Sequence, residues 1–215
     1  MRTLVIVSEH YFSPVSATDD ARLPLQVELD GSTRDLVTSK AVFSARGLDK
    51  ATAVLLHRLD VLPAVPTGGR LLDLGCGWGP IALTAALRHP DAEVWAVDVS
   101  ERARDITREN AARLGVTVHV AAPEEVPDGL AFEAIWSNPP IRIGKQALHE
   151  LLEHWCARLA PQGTASLVVG KNLGADPLAT WLDSRLPGRE VRKLASAKGF
   201  RILGVGPETA SNPSA

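Results

Sequence analysis

The chain has 215 residues, 45% hydrophobic and 22% charged, with a formal net charge of −2. That length suits one large α/β domain rather than two, and the near-neutral balance excludes a chain that attracts nucleic acid through its overall charge. Two cysteines, Cys76 and Cys156, exclude a disulfide framework. No apolar run approaches the roughly 20 residues that span a bilayer. The run Leu4–Val7 is cut short by Glu9 and His10 and falls below the ~7–15 apolar residues of a signal peptide, so the protein is expected to be cytoplasmic.

In chain order, Leu23–Leu29 and Thr33–Thr38 flank Asp30-Gly31, a strong hairpin signal. A helix from Asp49 to Leu59 and a loop over Pro63–Gly69 follow. From Arg70 onward short apolar runs alternate with helical patterns, as in a parallel sheet wrapped by helices. Arg70–Leu74, Val94–Val97, Val116–Val120, Ala134–Ser137 and Thr164–Val169 read as strands. Ile81–Arg88, Glu101–Leu114 and Gln146–Leu159 read as helices, the last because Leu148, Leu151, Leu152, Trp155 and Leu159 recur at helical spacing. Gly115 closes the second of these helices, and Pro161-Gln162-Gly163 turns the chain into the fifth strand. Glu190–Ala195 and Arg201–Val205, joined through Lys198-Gly199, suit an antiparallel pair at a sheet edge. The expected fold is therefore α/β, a mostly parallel seven-stranded sheet flanked by helices. Residues 1–62 form a hairpin-and-helix extension of the same domain, a lid or side wall. Residues 63–206 form the core and residues 207–215 a loose tail.

Chemistry concentrates at two strand ends. Leu71-Leu72-Asp73-Leu74-Gly75-Cys76-Gly77-Trp78-Gly79-Pro80 runs from a strand through a glycine turn into a helix. Gly75, Gly77 and Gly79 let backbone approach a ligand where a Cβ would collide, and Pro80 suits the first helical turn. A dinucleotide site is the competitor, but the spacing is Gly-x-Gly-x-Gly and Asp73 precedes it. An acid there repels pyrophosphate and welcomes the ammonium of an amino-acid-like cofactor. Asp98, ending the second strand, offers an acceptor to a ribose. S-adenosylmethionine (SAM) carries both groups, and Val99 and Cys76 belong to the same candidate site. The adenine edge is expected at Ala121-Ala122, where backbone amides or Glu124 must serve.

The second strand end is Ser137-Asn138-Pro139-Pro140-Ile141. The Asn138 side-chain oxygen and the Pro139 carbonyl can both accept hydrogen bonds from one amino group, and Pro139 and Pro140 stiffen the loop that presents them. Asn138, Pro139 and Pro140 are thus the candidate catalytic residues, transferring a methyl group directly with no metal.

These segments resemble the methyltransferase small-domain family, which includes the ribosomal RNA small subunit methyltransferase C group of guanine-N2 enzymes. Val42-Phe43-Ser44 with Gly47-Leu48-Asp49, Leu72–Gly77, Asp98-Val99-Ser100 and Ser137–Lys145 carry the likeness, which spans residues 40–205. It implies the class I Rossmann-like methyltransferase fold, with SAM on Asp73, Gly75, Gly77 and Asp98. It also implies an amino target on Asn138, Pro139 and Pro140, and ribosomal RNA or the small ribosomal subunit as partner. Ile141 departs from the family's usual Phe or Tyr and offers no π-face. Protein glutamine N5, adenine N6 and a non-catalytic RNA-binding assembly module remain alternatives.

Ile141, Arg142, Lys145 and Lys171 are the candidate substrate contacts. Arg185, Arg189, Arg192, Lys193, Lys198 and Arg201 could extend them into a phosphate-contacting rim or form a solvated face. His149 and His154 lie five apart, off one helical face, so no metal site is expected. Trp78 could touch the cofactor, and Phe43, Ser44 and Asp49 could fold over its pocket.

Overall fold

The computed structural model describes residues 21–208. The run Leu4–Val7 and residues 209–215 of the expected tail lie outside them; Pro207 and Glu208, expected to begin that tail, instead end the last strand. β1 (Leu23–Leu29) and β2 (Ser32–Thr38) pair as an antiparallel hairpin. Asp30 and Gly31 take positive φ, 49° and 69°, the backbone that lets a two-residue turn match strand twist. Alternation along β1 buries Leu25, Val27 and Leu29. They pack with Trp78, Leu83, Ala103 and Ile106, so the hairpin is a side wall laid against two helices.

A seven-stranded sheet follows, built from β3 (Arg70–Leu74), β4 (Glu93–Val97), β5 (His119–Ala121), β6 (Phe132–Ser137), β7 (Leu159–Gly170), β8 (Arg189–Ala197) and β9 (Phe200–Glu208). Its order is β5-β4-β3-β6-β7-β9-β8. Neighbours from β5 to β7 pair in parallel, and β9 runs antiparallel to both β7 and β8. Around it lie α1 (Lys50–Leu56), α2 (Pro80–Arg88), α3 (Glu101–Leu114), α4 (Lys145–Cys156) and α5 (Ala175–Arg185). Alternation along β3 builds two cores: Leu72 and Leu74 face Leu148, Leu152, Leu178 and Leu182 of α4 and α5, while Leu71 faces Leu55, Ile81 and Ala85 of α1 and α2.

The expected elements differ from those observed in five places. Val116 does not start a strand, because its amide closes α3 on the Ala111 carbonyl at 3.1 Å; β5 begins at His119. α1 stops at Leu56, and α4 at Cys156 rather than Leu159. Leu159 already belongs to β7, which keeps its pairing with β6 through a register shift rather than beginning after a turn at Pro161–Gly163. The buried Arg189 holds that shift, donating to the carbonyls of Leu159, Ala160 and Gly163 at 3.3, 2.9 and 2.9 Å. α5 was not anticipated at all: Leu178 and Leu182 give it one apolar face.

The order of the strands fixes where a ligand goes. The chain runs outward from β3 through β4 to β5, then returns to place β6 on the other side of β3. A crevice opens at the carboxyl ends of strands where that reversal occurs, here after Leu74 and Ser137.

Candidate active site

The glycine turn after β3 is stitched into the protein. The amides of Gly75 and Cys76 both donate to the Val97 carbonyl, at 2.8 and 3.1 Å, and that of Gly79 donates to the Cys76 carbonyl at 2.9 Å. The Gly77 amide donates to Asp98 Oδ2 at 3.0 Å. At the start of α2, Pro80 has no amide and the Ala82 amide donates to Asp73 Oδ2 at 2.9 Å. A pyrophosphate needs free amides at a helix N-terminus, and those of Gly75, Cys76, Gly77, Gly79 and Ala82 already have partners within the protein.

Successive residues of the turn face opposite ways. Gly75 and Gly77 take φ of 78° and 60°. A Cβ on Gly77 would meet nothing within 4 Å, and one on Gly75 only Pro140 Cδ at 3.9 Å. Both face open space, Gly75 with Pro140 of the Asn-Pro-Pro motif as its neighbour. Gly79 serves packing instead: a Cβ there would come within 3.0 Å of Thr107 Cγ2. Two side chains of the turn face the core, and for Trp78 that overturns the expected cofactor contact. The Cys76 side chain points into the core beside Thr107, and burial with the nearby carboxylates of Asp98 and Asp73 pushes its thiol well above the ordinary range. Trp78 is 1% exposed and belongs to the core under the hairpin.

Asp73 is fully buried, and its Oδ1 has no partner among the described residues. Burial raises its pKa to about 8, against the Ala82 hydrogen bond that lowers it, with the Asp98 charge adding to the rise. A buried acid with one unpaired oxygen fits a cationic group, which would supply the missing partner and favour the ionised form. Asp98 is also raised by burial, while the amides of Gly77 and Ser100 hold it down. Val99, beside it, is 62% exposed and offers an apolar surface to a flat ring. The Ala122 amide donates to Glu125 Oε2 at 2.7 Å. The amide expected at the adenine edge is therefore engaged, and Glu124 remains exposed there.

Across the crevice, Ser137 Oγ donates to the Leu74 carbonyl at 2.7 Å, tying the end of β6 to the end of β3. The next residue, Asn138, donates through Nδ2 to Asp49 Oδ2 at 2.9 Å and to Thr52 Oγ1 at 3.0 Å. Both amide hydrogens are thereby used, and Oδ1 is left as an acceptor. Asp49 is also the N-cap of α1, accepting from the amides of Ala51 and Thr52 at 2.8 and 3.3 Å. Thr52 is a site residue that the sequence reading missed. Its signal was the three-residue spacing from Asp49, which puts both side chains at one helix end.

The Pro139 carbonyl accepts from the Ile141 amide at 2.8 Å, so only its second lone pair is open. Ile141 is half-buried against the core and turns away from the solvent. Exposed apolar surface comes instead from Ile143 and Phe43, 38% and 68% exposed. Arg142, Lys145 and Lys171 are exposed, and the Lys171 amide donates to the Gly199 carbonyl at 2.9 Å, next to exposed Lys198. The rest of the expected rim falls apart. Arg189 is buried, Arg185 pairs with Glu153 and Arg201 pairs with Asp176. His149 stacks on Trp181, while His154 meets Trp155 edge-on.

A buried acid with an unpartnered oxygen and a strand-end acid beside the glycine turn suit a nucleoside cofactor that carries an ammonium group. The class is a Rossmann-like, SAM-dependent methyltransferase, and SAM is its cofactor. The chain belongs to the methyltransferase small domain family, whose model matches residues 33–204. It is 30% identical over 201 residues to the Bacillus subtilis protein YbxB, covering 92% of this chain and 98% of that one. It is 33% identical to ribosomal RNA small subunit methyltransferase C of Pseudomonas syringae, covering 92% of this chain and 58% of the relative. Among solved structures it resembles the Thermus thermophilus 16S rRNA N2 methyltransferase in complex with AdoMet and guanosine, with a TM-score of 0.74 and 22% identity, over 87% of this chain and 51% of that one. The chain thus spans about half the length of the ribosomal RNA methyltransferases it matches.

Proposed function

We propose that this chain methylates the exocyclic N2 amino group of a guanine in ribosomal RNA. The observation that carries the reading is Asn138: just past the end of β6, two residues before the Pro140 that lies opposite Gly75, it keeps its side-chain oxygen without a partner among the described residues. An acceptor in that place selects a donor, and an amino group is a donor. The second lone pair of the Pro139 carbonyl gives the same amino group a second acceptor. Two fixed acceptors orient the nitrogen and strengthen as positive charge grows on it.

Asp73 and Asp98 would hold SAM by its ammonium and its ribose, with Gly75 and Gly77 leaving room for it and Val99 beside the base. SAM supplies a methyl group already activated on a sulfonium, so no metal and no protein nucleophile are needed. Around Asn138, the cations of Arg142, Lys145 and Lys171 suit phosphates, and exposed Phe43 supplies the π-face that Ile141 lacks. A paired guanine would have to be flipped out to reach the crevice. Likeness to ribosomal RNA small subunit methyltransferase C supports ribosomal RNA over a protein or small-molecule amine.

The test is radiolabelled methyl transfer from SAM to ribosomal RNA and to small subunits taken from cells lacking this protein. Label should map to a guanine amino group and vanish with Asn138→Ala, while SAM affinity stays nearly unchanged. Label in protein, or on an adenine, would replace the reading with one of the alternatives.

A further inference from the structure

An asparagine side chain is symmetric in shape and opposite in chemistry at its two ends. Turned one way, Asn138 offers the crevice an acceptor; turned the other way, it offers two donors and would repel an amino target. Nothing within the Asn-Pro-Pro segment decides between the two orientations. The decision comes from 86 and 89 residues away, where Thr52 Oγ1 and Asp49 Oδ2 each accept one of the two Nδ2 hydrogens.

We propose that Asp49 and Thr52 are positioning residues that hold the Asn138 amide with its oxygen toward the crevice. This rests on Asn138 being the acceptor for the target amine. A flipped amide would set its oxygen against a carboxylate oxygen and give up a charge-assisted hydrogen bond. The Thr52 side chain is almost wholly buried, so water cannot easily replace its contact. The arrangement also has an electrical consequence. The Asp49 charge lies behind the amide, and polarisation along the chain Asp49–Asn138 makes the exposed oxygen a better acceptor. That gain grows as the target nitrogen becomes cationic, so it acts on the transition state more than on binding.

Asp49 has a second job as the N-cap of α1, and the variants must separate the two. Asp49→Ser retains a capping oxygen but is too short to reach Asn138. It should lower kcat by about 10- to 100-fold with SAM affinity within about two-fold of wild type. Thr52→Val should lower kcat by several-fold, and Thr52→Ser should restore it. Combined with Asn138→Ala, Asp49→Ser should add almost nothing, since the residue through which it acts is gone.

A spectroscopic readout needs no substrate. In the wild-type protein the two Asn138 side-chain NH protons should be well separated and protected from exchange with water. In Asp49→Ser they should exchange quickly and converge. Unchanged NH signals, or an Asp49→Ser loss that multiplies with that of Asn138→Ala, would overturn the positioning role. If the NH signals respond as expected and RNA accepts no label, the positioning role stands and the choice of RNA as acceptor fails.

Discussion

At the scale of single residues, Asp73 carries the strongest conflict between folding and binding. Its pKa in the folded protein is about 8 against an ordinary 3.8, mainly because burial disfavours the charge. The fold therefore prefers the protonated form. The associated stability is complete below the ordinary carboxylate range and drains away as pH rises toward 8. Asp73→Asn removes that dependence. We expect the ligand-free variant to melt above the wild type at pH 7.5, by ~2–4 °C for each ~1 kcal/mol recovered in a domain of this size, with little difference near pH 4. The same variant should bind SAM at least ~10-fold more weakly, the value of about 1.4 kcal/mol for a lost ionic partner. A melting curve and a binding isotherm at each pH settle both halves; a variant that is destabilised at pH 7.5 would mean the carboxylate is already ionised and paired in the free protein. That Asp73 precedes the glycines was plain in the sequence. Its total burial and its bond to the Ala82 amide were not, because they depend on the helix folding back over the strand end.

At the scale of elements, the glycine turn and the hairpin behave as one unit. Asn110, buried on α3, accepts from the Val37 amide at 2.9 Å and donates to the carbonyls of Val37 and Trp78 at 2.9 and 3.0 Å. One side chain thus joins β2, α3 and the glycine turn. Asn110→Leu leaves three backbone groups without partners and should cost about 2–4 kcal/mol, visible as early proteolysis of the hairpin; a hairpin as resistant as the wild type would show that packing alone holds it. The two faces of the turn also predict different failures. Gly77→Ala puts a Cβ into open space at φ 60°, a modest strain of about 1 kcal/mol, and should damage SAM binding more than stability. Gly79→Ala collides with Thr107 and Leu83 and should destabilise the fold first, by ~1–3 kcal/mol. Equal melting temperatures for the two variants would sink this division of labour. From sequence the three glycines looked alike, since spacing alone does not say which way a turn residue faces. The same limit explains the elements that were misplaced. The hairpin and the strands around the crevice were legible because their turn residues and alternation act locally. α5 was not, because Asp176-Pro177 in its first turn broke a pattern that a proline tolerates there. β7 begins earlier than expected because a distant arginine holds its irregular start.

At the scale of the whole molecule, a net charge of −2 and the proposed RNA substrate are reconciled by where the cations sit. Arg142 and Lys145 follow the Asn-Pro-Pro segment, Lys171 and Lys198 lie one strand over, and Arg46 and Lys50 flank Asp49; all are exposed and none forms an ion pair among the described residues. These segments surround the carboxyl ends of β6 and β7. The remaining basic residues of the C-terminal run have other employment. Arg189 braces β7, and exposed Arg192 and Lys193 lie on the edge strand β8, where charge discourages pairing with another chain. A charge local to one edge gives a salt dependence that overall charge does not reveal. For single-stranded RNA each neutralised phosphate contributes a slope of about −0.7 to log K against log salt. Replacing Arg142, Lys145 and Lys171 together with Ala should therefore reduce the slope by about 2 and weaken RNA binding severely at low salt. SAM affinity should not change, since none of the three lies on the glycine turn. Replacing Arg192 and Lys193 with Ala, the same charge type on the sheet edge, should leave the slope within error. If the edge-strand pair changed the slope and the crevice trio did not, RNA would approach from the β8 side, and Asn138 would be too far away to serve as the acceptor for its base.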